Sequence, residues 1–213
     1  MKLQTVQNSG LRVMIGCLAM TGIDHLHQES KILPLFEHST MLSKQFLLST
    51  YMTGNPGNKH LDQPRPARKM KRTMLDNKTE LSDLLPVDTD DARKAGIKTL
   101  HTRTVRDCIE RYDPNRVLGI KPPDISSEEE SLLRRPRTAL AQLRSGFSRR
   151  LNSYMHRIDE TINDDCPDCN HAPHDTNHIF NCPTNPTELE LIDLWLDLVA
   201  VAEFLDLDDD DVS

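Results

Sequence analysis

The hydrophobic positions of the first fifty residues recur near every 3.6 residues, which predicts amphipathic helices. We expect the apolar side chains of a first helix to lie in a core: Leu3, Val6, Val13, Cys17 and Leu18. Thr21 and Gly22 then interrupt the pattern, and Asp24 is expected to cap a short helix that runs to residue 30.

Pro34 suits the first turn of another helix, because a proline there loses no helical hydrogen bond. The apolar positions that follow it are also expected in the core: Leu35, Met41, Leu42, Phe46 and Leu47. Together these segments predict a small antiparallel helical bundle.

The pattern breaks over residues 54–95, which are rich in proline and glycine and predict a linker of low order. The linker contains a basic cluster: Arg65, Arg68, Lys69, Lys71 and Arg72. A solvated linker is favoured here over a nuclear-localisation signal or a phosphate contact.

Helical periodicity resumes over residues 97–112, where Cys108 is expected to pack as a small hydrophobe. Residues 113–130 predict a loop, with a helix start at Ser126 or Ser127. The strongest pattern predicts one helix over 136–158 with a single apolar stripe: Leu140, Leu143, Phe147, Leu151, Tyr154 and Ile158. A terminal helix is expected to pack against the cysteine-rich segment through Leu189, Ile192, Trp195, Leu196, Val199 and Phe204, ahead of a disordered acidic tail at 208–211.

Charge is distributed unevenly. The chain carries a net charge of −7, yet residues 134–158 contain seven arginines and no acidic residue. Four of these side chains are expected to project away from the apolar stripe, and we call them the arginine group: Arg134, Arg135, Arg149 and Arg150. They are candidates for contacts with nucleic-acid phosphates. The alternative is a solvated face paired with acidic segments such as 206–211.

Cysteine and histidine concentrate in residues 166–182, which read CPDCNHAPHDTNHIFNC. Cys166 and Cys169 form a C-x2-C pair, and His178 precedes Cys182 by four residues, about one helical turn. Three thiolates and one imidazole form a closed tetrahedral set that is typical of structural zinc. Because the segment has little core of its own, a metal ion is expected to decide whether it folds.

Two other histidines compete for the third position. His171 and His174 both lie between the cysteines, and His174 fits the first half of a C-x2-C-x4-H-x4-C knuckle. That pattern then requires a ligand at position 179, which is Ile179. The spacing therefore favours His178.

Other features limit the function. Five cysteines are an odd number, and three of them fall within seventeen residues, which favours a metal site in the nucleus or cytoplasm over disulfides. The longest apolar run has eight residues, so no membrane contact is expected. No Gly-rich phosphate loop, strand-end acidic pair or recognisable nucleophile is present, so no catalytic residue is assigned.

Four blocks of the chain resemble, in order, the region after the polymerase palm of reverse transcriptases from non-LTR, jockey-like retrotransposons. These blocks are LQTVQNSGLRVMIGCLAMTGIDHLHQESKILPL, RTALAQLRSGFSRRLNSYMHRID, CPDCNHAPHDTNHIFNCP and LWLDLVAVAEFLDL. The resemblance implies a thumb, which holds the template–primer duplex, followed by a Cys-Cys-His-Cys zinc finger. It places the ligands at Cys166, Cys169, His178 and Cys182. The catalytic aspartates and their Mg²⁺ belong to the palm, which has no counterpart here, so the chain is expected to be inactive alone. Gly10 and Gly22 depart from the family pattern.

We therefore predict a mainly α fold with five segments. They are a thumb-like helical segment (1–53), a linker (54–95), a helical region with the arginine-rich helix (96–160), a CCHC zinc finger (161–187), and a terminal helix with the acidic tail (188–213). The expected function is that of a C-terminal fragment of an RNA-directed DNA polymerase that binds structural zinc and template or target RNA or DNA. The alternatives are a domesticated or remnant protein that acts as a zinc-stabilised protein-interaction module, and an inert fragment.

Overall fold

The computed structural model describes residues 2–51, 56, 81–84 and 87–207. This part of the chain is mainly helical, as predicted, and contains no β-strand. Its α-helices are α1 (Lys2–Ile15), α2 (Ile23–Ser30), α3 (Leu35–Thr50), α4 (Asp90–Glu110), α5 (Arg134–Ser145), α6 (Asn152–Ile158), α7 (Thr176–Phe180), α8 (Asp193–Leu196) and α9 (Leu198–Phe204). Two short 3-10 helices span Ser82–Leu84 and Ser127–Ser131. None of the helices described combines the length and the apolar character that a bilayer span requires.

The chain forms two compact units. The first combines Met1–Lys31 with Tyr112–Ser213, and the second is the intervening Ile32–Arg111. The first unit is therefore discontinuous in sequence. The α1–α2 pair belongs to the first unit, whereas α3 packs with α4 in the second. The five predicted segment boundaries stay predictions.

The main core of the first unit is built from α5 and from the helices that follow it. Its buried side chains are Leu140, Leu143, Phe147, Leu151, Tyr154, Phe180, Leu194, Trp195, Leu198, Val201, Ala202 and Leu207. A smaller cluster joins α5 to the α1–α2 pair through Leu11, Cys17, Leu26 and Ala141. The Gln142 side-chain amide donates a hydrogen bond to the Gly16 carbonyl at 2.9 Å, which fixes the turn after α1 against α5.

Three of the predicted core positions of the first helix are wrong, whereas Cys17 is buried, as predicted. Leu3, Val6 and Val13 are 73%, 68% and 70% exposed, whereas α1 buries Asn8 and Leu11. Helix α1 packs against α2 and α5 through the face that carries Leu11. The Leu11 side chain belongs to the smaller cluster described above. Both faces of α1 carry apolar residues, so the hydrophobic period alone does not determine which face is buried.

The predicted helix over 136–158 is two helices. Gly146 caps α5 at φ 68°, a left-handed conformation that glycine adopts at little cost, and the chain resumes as α6 at Asn152. The apolar stripe nevertheless lies in one core, except for Ile158, which is 55% exposed. Residues 134 and 135 also belong to α5, two residues earlier than predicted.

The predicted terminal helix is likewise divided, at Asp197. The Asp197 carboxylate accepts a hydrogen bond from the Ala200 N–H at 3.2 Å and so caps α9. Leu194 and Leu198, on the two sides of this break, are buried, whereas Leu196, a predicted core position, is 48% exposed. The ring of Phe204 lies 6.2 Å from that of Phe180, so α9 does pack against the cysteine-rich segment, as predicted.

Several helix starts differ from the sequence-based expectations. Gly22 occupies the N-cap of α2 without a side-chain hydrogen bond, and Asp24 lies in the first turn instead of capping it. Helix α4 begins at Asp90, seven residues earlier than predicted, because the Thr89 hydroxyl caps the Ala92 N–H at 3.1 Å. Ser126 does cap the helix that follows it, although that helix is a 3-10 helix.

The second unit buries side chains from α3, α4 and their flanking segments: Leu33, Met41, Leu47, Leu48, Leu81, Val87, Leu100 and Cys108. Cys108 is buried, as predicted, but Leu42 and Phe46 are 49% and 59% exposed. The Arg111 guanidinium pairs with Glu37 at 2.9 Å. The basic cluster at 65–72 and the acidic tail at 208–211 lie outside the described residues.

Candidate metal centre

A tight turn presents the first two cysteines. The Asn170 N–H donates to the Cys166 carbonyl at 2.9 Å, and the Cys166 N–H donates to the His171 carbonyl at 3.0 Å. Asn170 adopts φ 58°, a left-handed conformation that asparagine tolerates better than most residues. The chain therefore reverses directly after Cys169, and both thiols point to the same side.

Helix α7 presents the histidine. The Asp175 carboxylate accepts a hydrogen bond from the His178 N–H at 2.8 Å and caps the helix. The buried hydroxyl of Thr176 donates to the Leu143 carbonyl at 3.1 Å, which anchors α7 to α5. Helix α7 ends at Phe180, so Cys182 lies after the helix. The sequence had predicted that His178 and Cys182 share one helical face.

Four donor atoms converge, and we call this set the Cys3His cluster: Cys166, Cys169, His178 and Cys182. All four donor atoms lie within 4.8 Å of one another. The Cys169 sulfur lies 3.2 Å from His178 Nε2, and the sulfurs of Cys166 and Cys182 are 3.9 Å apart. Bonds of about 2.3 Å in a tetrahedron place two sulfurs about 3.8 Å apart. The donors therefore fit a single tetrahedral ion after small adjustments.

The two competing histidines lie outside this cluster. His174 Nδ1 accepts a hydrogen bond from the Asn152 N–H at 3.2 Å, at the start of α6. Its backbone N–H donates to the Asp164 carbonyl at 2.7 Å. His174 therefore connects α6 to the cysteine-rich segment, and His171 is exposed. The histidine that joins the three cysteines in the structure is therefore His178, the one that the spacing favoured.

The electrostatic environment favours a thiolate at Cys182. Burial raises the pKa of this thiol, but hydrogen bonds from the backbone N–H groups of Thr184 and Asn185, together with His178 and Cys169, lower the pKa overall to about 7. Burial raises the pKa of Cys169. Burial also lowers the pKa of His174, and the neighbouring His178 lowers it further. A low thiol pKa suits a metal ligand, since the ion binds the deprotonated sulfur.

The arginine group is exposed, as predicted, but it occupies two places. Arg134 and Arg135 lie in the first turn of α5, whereas Arg149 and Arg150 lie in the connection between α5 and α6. The Arg134 guanidinium donates to the Val13 carbonyl at 3.2 Å. That of Arg150 donates to the Leu205 carbonyl at 3.2 Å.

Sequence reasoning missed Arg144. This side chain is fully buried, pairs with Glu29, and approaches Glu129 at 3.4 Å. Its Nε donates to the Leu194 carbonyl at 2.6 Å, and its guanidinium lies 5.9 Å from the Trp195 ring centre. The available signal was its position four residues after Leu140, on the apolar stripe.

Comparison with known proteins gives no relative: no protein-family model, curated protein or solved structure matches this chain.

Proposed function

We propose that this chain is a zinc-stabilised, nucleic-acid-binding module equivalent to the thumb and C-terminal zinc finger of a non-LTR retrotransposon reverse transcriptase. The observation that supports this proposal most directly is the convergence of the Cys3His cluster. Three thiolates and an imidazole in a tetrahedral arrangement select zinc over harder ions such as Mg²⁺. The choice of family in this proposal rests on the resemblance of the four sequence blocks to these reverse transcriptases.

Zinc has a structural role in this proposal. Four protein donors complete a tetrahedron and leave no position for a reacting water molecule. From residues 166–182, Phe180 joins the buried core, with Ile179 packed against it. Binding energy on the order of 10 kcal/mol at the Cys3His cluster therefore stabilises a segment that has few apolar contacts.

The zinc assignment is tested by metal content and by folding. Elemental analysis of the purified chain is expected to give one zinc per chain, and a chelator is expected to shift the NMR resonances of residues 166–182 to random-coil positions. A chain that contains no zinc and yet keeps these resonances in place would refute the assignment.

Nucleic-acid binding relies on the exposed arginine group. Its guanidinium groups suit phosphate oxygens, and residues 134–158 contain no acidic side chain that would repel a phosphate. The test is the affinity for single-stranded and duplex RNA and DNA as a function of salt, because phosphate contacts give a linear fall of log K with log salt. Charge reversal at Arg149 and Arg150 should weaken binding, and a salt-independent affinity would contradict the proposal. In this proposal the chain holds nucleic acid and supplies no polymerase chemistry.

A second candidate is a protein-interaction module, and the exposed face of α1 favours it. Leu3, Val6 and Val13 lie at spacings of three and seven residues, and all three are more than two-thirds exposed. Substituting Val6 and Val13 with glutamate should change the assembly state in sedimentation if this face binds protein. If the first proposal holds, the same variant should keep its affinity for nucleic acid.

A further inference from the structure

Two arginines share one aromatic ring in the first unit. The guanidinium carbon of Arg116 lies 4.8 Å from the ring centre of Phe147, and that of Arg157 lies 5.2 Å from it. Phe147 is 7% exposed, and Tyr154 packs edge-on against it at 5.9 Å. The ring is therefore held by the core, and it positions both guanidinium groups by cation–π contact.

Within the described residues, neither guanidinium has an acidic partner. In that part of the chain, the side chains of Arg116 and Arg157 form no ion pair and no hydrogen bond. Several other arginines do pair with carboxylates, for example Arg93 with Asp90 at 2.7 Å and Arg103 with Asp83 at 2.8 Å. A cation–π contact uses the face of the guanidinium and leaves its N–H donors available for an anion.

A cavity of about 200 Å³ lies beside this pair and includes both arginines in its lining. Ser153 and Asn177 also line it and supply neutral polar groups. The acidic residue in the lining, Asp175, already accepts the hydrogen bond that caps α7. The volume is smaller than the roughly 300 Å³ at which pockets for drug-sized ligands begin, so it suits a small anionic group.

We propose that Arg116 and Arg157, positioned on Phe147, bind a phosphate group, and that the backbone of a bound nucleic acid supplies it. This inference rests on the proposed function and adds a phosphate site distinct from the arginine group. The segment 173–177, which lies between Cys169 and His178, forms one wall of the cavity. The metal centre therefore shapes the phosphate site through that wall.

The test uses the full-length, zinc-loaded chain and two probes. Inorganic phosphate is titrated while the Nε–Hε NMR signals of Arg116 and Arg157 are followed, and short single-stranded RNA and DNA are titrated by fluorescence anisotropy. The variant Arg116→Gln/Arg157→Gln is compared with Arg93→Gln/Arg103→Gln, which removes the same charge from the second unit. We expect the first variant to bind oligonucleotide about tenfold more weakly than the control. Its salt slope should fall by about 0.7, the value for one lost phosphate contact on a single strand.

The outcomes separate the two proposals. If phosphate shifts both arginine signals and the variant weakens oligonucleotide binding, both proposals are supported. If the wild-type chain binds oligonucleotide but the variant and its control bind equally well, the phosphate site is refuted and the proposed function stands. If phosphate shifts the signals and no oligonucleotide binds, the proposed function is refuted and free phosphate is the ligand of the site. Unchanged zinc content and circular dichroism in both variants show that the fold is intact.

Discussion

The buried ion pair of Arg144 predicts a large loss of stability on substitution. The side chains of Arg144 and Glu29 are 0% and 5% exposed, and Glu129 approaches the same guanidinium. Arg144→Met leaves two carboxylates facing each other without the cation between them. Breaking a buried pair in this way costs about 3–5 kcal/mol. Domains of this size are stable by about 5–15 kcal/mol, so the variant should lose a large part of its stability.

Urea unfolding of the zinc-saturated protein measures this loss. Trp195 is the single tryptophan and is 1% exposed beside Arg144, so its fluorescence reports the unfolding of this core. The matched control Arg149→Met removes the same charge from an exposed position and should change the unfolding free energy by less than about 0.5 kcal/mol.

The double variant Arg144→Met/Glu29→Met provides the decisive comparison. Replacing a buried ion pair by apolar residues is often neutral or stabilising, because both desolvation penalties disappear together. The double variant should therefore be more stable than Arg144→Met alone. A single-variant loss under about 1 kcal/mol, or a double variant less stable than the single one, would refute this account of the pair.

Three further predictions concern the metal centre, a glycine and a buried thiol. Cys169→Ser should abolish stoichiometric zinc binding in a metal assay, whereas His174→Ala should keep the zinc and lose about 1 kcal/mol of stability with its hydrogen bond to α6. Gly146→Ala should destabilise more than Gly119→Ala in urea unfolding. Both glycines have φ near 70°, but only at Gly146 would the new Cβ meet a side chain, at 3.0 Å; equal losses would contradict this. Burial raises the pKa of Cys17 to about 12, so the folded state keeps a proton that the unfolded state loses near pH 9. Stability contributed by this thiol should be complete below pH 9 and fall as the pH rises toward 12, and the stability difference between wild type and Cys17→Ala should shrink over that range.

The metal centre was the most predictable part of the structure, because its information is local. The spacing from Cys166 to Cys182 restricts which donors can reach one ion, and the structure keeps that set together. The choice of His178 over His174 also followed from spacing. The hydrogen bond of His174 to Asn152, which explains why that histidine lies elsewhere, was beyond prediction because it depends on how α6 packs.

Buried faces were less predictable, because they depend on distant partners. The exposure of Val6 and Val13 is decided by where α5 meets α1, more than a hundred residues later. Gly146 divides a convincing helical stripe without disturbing its core, so the pattern concealed the break. The sequence does not distinguish Arg144 from the other arginines of residues 134–158. Its burial depends on Glu29 and Glu129, which come from two other segments.

The interruption of the first unit has a consequence for synthesis on the ribosome. The ring of His27 stacks on that of Tyr112 at 6.3 Å, and the Gln28 side-chain amide donates to the Asp113 carbonyl at 2.9 Å, so the chain returns to the point from which it departed. Closing an unstructured loop of residues 32–111 would cost about 4 kcal/mol of chain entropy. The inserted unit brings its own ends together through Arg111 and Glu37, and all of it is translated before α5. Folding of the inserted unit ahead of α5 would therefore reduce that entropy cost. Until α5 is available, α1 and α2 would remain incompletely packed.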